Sequence, residues 1–194
     1  MEEVGHSVKA RILVAMAMAA MLSRAADSLA DQVDRKIDLI ESGKAKPGSV
    51  FVFTAIKLNA FARVKAREAA PEGLRQPRLK LGNGSATGEA LVDFLKLRHG
   101  AGVETNWLVA KLIQGEKRVT ATVDIRSERG RATVHLIRAE IGGLAVSGAA
   151  LDFLIETFLL PLYPNAKIDQ PFELAHGVDR IEVTPAGARV YMRK

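Results

Sequence analysis

The spacing of apolar residues changes character twice along the chain, from helical to alternating and back again. Leu29, Val33, Ile37 and Ile40 recur at intervals of three and four, which predicts an amphipathic helix from Ser28 to Gly43. Lys44 to Pro47 ends it, and "SVFVFT" (49–54) then reads as a short strand. Thr54 is placed to cap a second helix that runs to about Ala70, closed by Pro71 and Gly73. In that helix the apolar Ile56, Leu58, Phe61 and Val64 are mixed with Lys57, Arg63, Lys65 and Arg67.

From Leu74 the period drops to two. "RLKLGNGSATGEALVDFLKL" (78–97) centres on Asn83-Gly84, a strong hairpin signal, and its second arm, which also fits one or two helical turns, is assigned to a strand as far as Leu97. "ETNWLVAKLIQGE" (104–116) predicts a short helix that carries Trp107 and ends at Gly115. In "RVTATVDIR" (118–126), Val119, Ala121, Val123 and Ile125 face one way, opposite Thr120, Thr122 and Asp124. "SERGR" turns the chain at Gly130, and the return strand sets Ala132, Val134 and Leu136 on one face. Ile137, Ala139 and Ile141 then have the opposite parity, which predicts a bulge or sharp twist at Ile137. A last hairpin, "DRIEVTPAGARVYMR" (179–193), turns at Pro185 and Gly187.

Between these hairpins lies "GAALDFLIETFLLPLYP" (148–164). It predicts one helix from Ala149 to Tyr163, apolar nearly all round, with Asp152 and Glu156 as a thin polar stripe. About 22 Å long, it falls short of a bilayer core of ~30 Å. Its leucines and phenylalanines each gain roughly 1.5–3 kcal/mol on burial, so a sheet, or a sheet plus an apolar ligand, has to cover it. No strand–helix–strand alternation points to a parallel sheet. The expected fold class is therefore α+β, a strongly curved, mainly antiparallel sheet wrapped around a long apolar helix, with helices at the N-terminus.

Composition narrows the function. With 194 residues and 48% hydrophobic content, the chain suits one domain with a sizeable core, and with 5% aromatics that core must be mostly aliphatic. The net charge of +6 permits attraction to anionic surfaces, although a solvated basic face explains it equally well. Cysteine is absent, which removes disulfides, thiolate catalysis and thiolate metal sites.

Residues 1–30 read as a secretory leader. Lys9 and Arg11 precede an eleven-residue apolar run, Ile12 to Leu22, and the small-residue contexts Ala25-Ala26 and Ser28-Leu29-Ala30 follow. Glu2 and Glu3 are unusual in such a leader, and a start at Val8 would leave a regular one. Cleavage near Ala30 would export residues 31–194 as a single domain to the periplasm or the exterior. An uncleaved anchor and an amphipathic N-terminal helix are the rival readings.

Candidate chemistry is sparse. His6, His99, His135 and His176 stand apart from one another and from carboxylates at ligand spacing. "GNGSATG" (82–88) lacks the Lys-Ser/Thr of a phosphate loop, and Ser147 is not in a G-x-S-x-G turn. Asp152 and Glu156, four apart on one helix, read as its wet edge rather than an acid/base pair. Basic charge with no aromatic platform does not point to nucleic acid. No enzyme, metal or cofactor is expected.

One resemblance covers about residues 50 to 193. "FTAIKLNAF" (53–61), "APEGLRQPRLKL" (70–81), "TGEALVDF" (87–94), "AEIGGLAVSGAALDFLI" (139–155) and "GVDRIEVTPAGARVYM" (177–192) follow one another as in the LmeA-like periplasmic lipid-binding family. The chain resembles that family in its turn glycines, prolines and alternating apolar residues, and departs from its T-x-x-E-L-N pattern at Lys57. The resemblance implies a TULIP-like, tubular lipid-binding fold, in which a curved sheet wraps a helix and leaves a greasy groove.

The leading expectation is an exported, non-enzymatic protein that holds phospholipid or another long-chain lipid. Phe153, Leu154, Phe158 and Leu162 are the candidate groove residues, with Phe61 and Trp107 as neighbours. Lys57, Arg63, Lys65 and Arg67 are the candidates to meet anionic headgroups or an anionic membrane surface at its mouth. The same apolar residues would also serve as a closed core. The alternative function is a periplasmic structural or adaptor module that takes a protein partner through a sheet edge or the basic helix.

Overall fold

The computed structural model describes residues 27–97, 114–161 and 166–194, and within them the strands form two antiparallel sheets. The first helix, α1, spans residues 27–41 and buries Val33 and Ile40 of the predicted face together with Ala30, while Leu29 and Ile37 are half-buried. It starts four residues upstream of Asp31, so residues assigned to the leader belong to a folded helix.

Strand β1 (Val50–Thr54) alternates as expected, with Phe53 buried and Val50 and Val52 outward. Its last residue caps α2 (Ala55–Ala69): the Thr54 hydroxyl accepts the Lys57 N–H at 3.4 Å. Strands β2 (Leu74–Leu81) and β3 (Ser85–Asp93) form the hairpin centred on Asn83-Gly84, where Gly84 takes a positive φ of 66°. The register slips between Arg75 and Arg78, where Pro77, which has no N–H to pair, is tolerated in the irregularity.

The second arm is not a strand throughout, as expected above. β3 stops at Asp93, whose carboxylate accepts the N–H groups of Leu95 (3.2 Å) and Lys96 (3.4 Å) and so starts a short helix, α3 (Phe94–Leu97). Local capping by an acidic side chain outweighs the strand pattern there.

β4 (Glu116–Glu128) and β5 (Arg131–Ile141) are joined by Arg129 and Gly130, both at positive φ, as a tight two-residue hairpin turn requires. Thr122 pairs with Arg138 and Val123 with Leu136, so Ile137 is the extra residue of a bulge and is 64% exposed. That is the predicted parity change. β6 (Leu144–Val146) folds back on β5 after Gly142 and Gly143.

The apolar helix is shorter in its α-form than expected. α4 (Ala149–Leu154) passes into a five-residue π segment, Ile155–Leu159, closed by the Leu160 N–H on the Ile155 carbonyl at 2.9 Å. Pro161 supplies the reason. It cannot donate to the carbonyl of Thr157, four residues back, and its ring crowds that group. Leu162 and Tyr163, the expected end of the helix, lie outside the described residues.

After β7 (Phe172–Glu173), the chain ends in the β8 (Val178–Thr184) and β9 (Gly187–Met192) hairpin. Its turn residues are Pro185 and Ala186. Gly187 opens β9 and lies so close to β1 that a methyl group there would collide with the Phe53 carbonyl.

The large sheet has the order β2-β3-β4-β5-β6, with β7 also on β5, and the small one β1-β9-β8. The chain is α+β with a large antiparallel sheet that does not close. The sheets meet at the β8 edge. The Gly130 N–H bonds the Asp179 carbonyl (2.6 Å), the Ser127 hydroxyl donates to the Ile181 carbonyl and accepts its N–H (2.7 Å each), and the Gly84 N–H bonds the Val183 carbonyl (3.0 Å). Each sheet has its own core: Val92, Phe94, Ile141, Val146, Leu154 and Phe158 in one, Val33, Ile40, Phe53, Val178, Val190 and Met192 in the other.

An apolar groove as candidate functional site

Directly opposed residues in an antiparallel sheet share a face, so the register maps the large sheet row by row. One face carries, from the end near α3, the rows Leu74–Val92–Lys117, then Ala90–Val119–Ile141–Leu144, then Leu79–Gly88–Ala121–Ala139–Val146. The other face is polar and laced across its strands: Arg118 pairs with Glu89, Arg75 with Glu116, and the Thr87 and Thr122 hydroxyls meet at 3.1 Å.

The third row explains a hollow. Gly88, Ala121 and Ala139 are adjacent, and together they project two methyl groups where a packed sheet would offer three large side chains. Over Ala121 and Ala139, with Gly88 next to them in the row, lies a cavity of about 260 Å³, walled by Val119 and Ile141 on the sheet side and Leu151, Leu154, Ile155 and Phe158 on the helix side. Its lining is almost wholly apolar. A β-carbon added at Gly88 would meet no atom within 4 Å.

Phe158, 8% exposed, anchors the helix to the sheet, with its ring edge-on to Phe94 at 5.0 Å and to Phe153 at 6.4 Å. Leu154 is buried beside it, and Asp152 and Glu156 lie outward on the exposed side. The structure thus brings together Phe153, Leu154 and Phe158. Phe61 is a correction: it packs with Leu58 against the other core, because α2 covers the small sheet and the β2 edge instead of the groove. Trp107 and Leu162 lie outside the described residues.

The four basic candidates also need correcting, since none of them lines the groove. Lys65 is held by Asp34 (3.2 Å) and Glu68 (3.1 Å), and hydrogen bonds to Glu68 and then Asp34 raise its pKa. Arg67 pairs with Asp27 at 3.0 Å. Lys57 and Arg63 make no salt bridge among the described residues. Sequence reasoning missed the Gly/Ala floor, whose signal was small residues at alternate positions of neighbouring strands.

Two other hollows differ in kind. One of about 590 Å³ at the β4–β5 turn is lined by polar groups, among them Arg126, already held by Asp124 at 2.8 Å, and Glu128. Another of about 320 Å³ lies in the second core between α1 and the small sheet, against Val33, Phe53 and Val178. Among the described residues no three His, Asp or Glu side chains gather as metal ligands, and no helix is long and apolar enough to cross a membrane. No family model matches the chain, no curated protein matches it, and no solved structure matches its fold.

Proposed function

We propose that the chain is an exported, non-enzymatic lipid-binding protein that holds acyl chain in the groove between α4 and the large sheet. The observation that carries this reading is the apolar space over Ala121 and Ala139, in the small-residue row that Gly88 begins, beneath an apolar helix. If a methylene takes roughly the ~30 Å³ of a water, about nine fit. At ~0.8 kcal/mol each their burial is worth about 7 kcal/mol before the costs of association. The bulges at Ile137 and near Pro77 give the sheet places to bend over the helix, as the resemblance to LmeA-like proteins implies.

The adaptor alternative fares worse, because strand addition needs an open edge. Asn59 meets the β2 edge at Leu79, Ser127 with two glycines meets that of β8, and the Lys36 ammonium donates to the Val52 carbonyl on β1 at 2.8 Å, which leaves the three-residue β6 as the longest edge strand without such a contact among the described residues.

The test is direct. Protein made with its leader and purified without detergent is extracted and analysed by mass spectrometry. A substantial fraction of one long-chain lipid per chain is expected. Lipid-free protein that also ignores anionic vesicles at low salt would overturn the reading.

A further inference from the structure

The first row of the groove face ends in a charge. Lys117 is paired with Val92, so its side chain starts on the same face as Leu74, Val92 and Val119. It is half-buried, and its stem runs beside the β5–β6 turn: a β-carbon at Gly142 would lie 3.8 Å from the Lys117 Cδ. A lysine in that position buries its methylenes with the apolar row and keeps its ammonium at the rim.

The carboxylates around it are committed elsewhere. Asp93, Glu116, Glu89 and Glu140 all have the opposite parity, toward the polar face, and hold Lys96, Arg75, Arg118 and Arg138 respectively. Among the described residues no carboxylate pairs with Lys117. Two exposed leucines stand at the same end of the sheet, Leu144 (64%) at the end of the second row and Leu95 (54%) next to the groove-lining Phe94. Among the described residues, this end of the groove therefore combines apolar surface with one cation on the groove face, and Glu140, which also borders the cavity, is held by Arg138.

We propose that Lys117 is the headgroup contact of the groove, its ammonium meeting the phosphate of a lipid whose chain lies on the Gly88–Ala121–Ala139 floor. This rests on the lipid-binding reading and adds a ligand class to it, anionic phospholipid in preference to zwitterionic. A headgroup that carries its own cation sets that cation beside Lys117, while an anionic headgroup does not.

The test uses the full chain and vesicles of equal parts phosphatidylglycerol and phosphatidylcholine. The protein is incubated with them and separated, and its bound lipid is extracted and sorted by headgroup. Wild type is expected to enrich phosphatidylglycerol above the supplied ratio, and Lys117→Gln to cut that enrichment about fivefold with total lipid unchanged. Lys117→Arg should keep it, and Lys80→Gln, on the polar face, should not alter it. Lys117→Met, which keeps the stem, is a second neutral variant, with circular dichroism to check the fold.

Lipid bound without headgroup preference, or a preference that survives Lys117→Gln, overturns this assignment and leaves the groove standing. If both neutral variants unfold, Lys117 is holding the strand end together and the assignment falls. Wild type that takes up no lipid at all removes the groove reading and this inference with it.

Discussion

The Asn59 side chain pairs with the Leu79 backbone as a neighbouring strand would. Its Oδ1 accepts the Leu79 N–H at 2.8 Å, and its Nδ2 donates to the Leu79 carbonyl at 2.7 Å. One helix residue thereby satisfies one residue of a sheet edge, the part of a β-protein most exposed to pairing with other chains. The same Nδ2 also donates to the Ala55 carbonyl at 3.0 Å, which fixes the amide in place. Asn59→Leu is expected to cost about 1–3 kcal/mol, because two backbone groups lose their partner. Urea unfolding measures that loss, and light scattering should show association of the folded variant through β2. A variant as stable as wild type would mean that water replaces the amide without loss.

Gly88→Leu separates a groove from a core. The φ of Gly88 is not positive and the space beyond its Cα is open, so a side chain enters without backbone strain. The melting temperature should hold or rise, since glycine weakens a strand. Bound lipid should fall by most of its wild-type amount. Unchanged lipid would put the ligand outside this hollow.

Phe158 belongs to the wall that must not move. Enclosed by Phe94 and Phe153, it should cost about 3–5 kcal/mol on Phe158→Ala and more on Phe158→Asp, which buries a charge with no partner. Thermal or denaturant unfolding checks both. If Phe158→Asp folds normally, the helix is not packed on the sheet as described.

The proposed leader is expected to be cut upstream of Ala30. That residue is 1% exposed inside α1, and Asp27 pairs with Arg67, so cleavage after Ala30 would remove a packed turn. Ser23-Arg24-Ala25 offers the same small-x-small pattern five residues earlier. N-terminal sequencing of exported protein is expected to begin at Ala26. A start at Asp31 would mean that the domain folds without the Ala30 contact.

Lys65 gives a pH signature. Hydrogen bonds to Glu68 and Asp34 raise its pKa above 10.5, so the folded state holds the proton more tightly than the unfolded one. Its contribution is therefore complete below pH 10.5 and lost as the pH climbs through the raised value. With its side chain 38% exposed, solvent screens the pairs to ~0.2–1 kcal/mol. Lys65→Met should be less stable than wild type by that amount at neutral pH, and the two should converge in strongly alkaline buffer. A gap that persists there would point to packing against Phe61, whose ring lies 5.5 Å from the ammonium.

Much of this fold was legible because period and punctuation agree along the chain. The Thr54 cap, the Asn83-Gly84 hairpin and the Ile137 bulge all follow from local sequence, and each is present. Where the pattern misled, a single residue overrode it: Asp93 turned a strand into a helix, and Pro161 turned an α-helix into a π segment. The groove was half legible. Its helix wall stands out as an apolar run, but its floor comes from Gly88, Ala121 and Ala139 on three strands, and only the register makes them neighbours. The basic helix misled for the same reason, since charge along a sequence does not tell which cations already have partners.

The pairing of β1 with β9 also sets an order of events. Val50 lies opposite Tyr191, so the small sheet joins segments more than a hundred residues apart, while β2 to β6 are joined one after another to their chain neighbours. Short-range strands can zip as they are made; a closure of that length has to wait. A ribosome that has delivered residues 74–146 has released everything the large sheet needs except β7, yet β1 still lacks its partner strand β9 and α1 the β8–β9 side of its core. The small sheet therefore closes only after the last twenty residues have emerged.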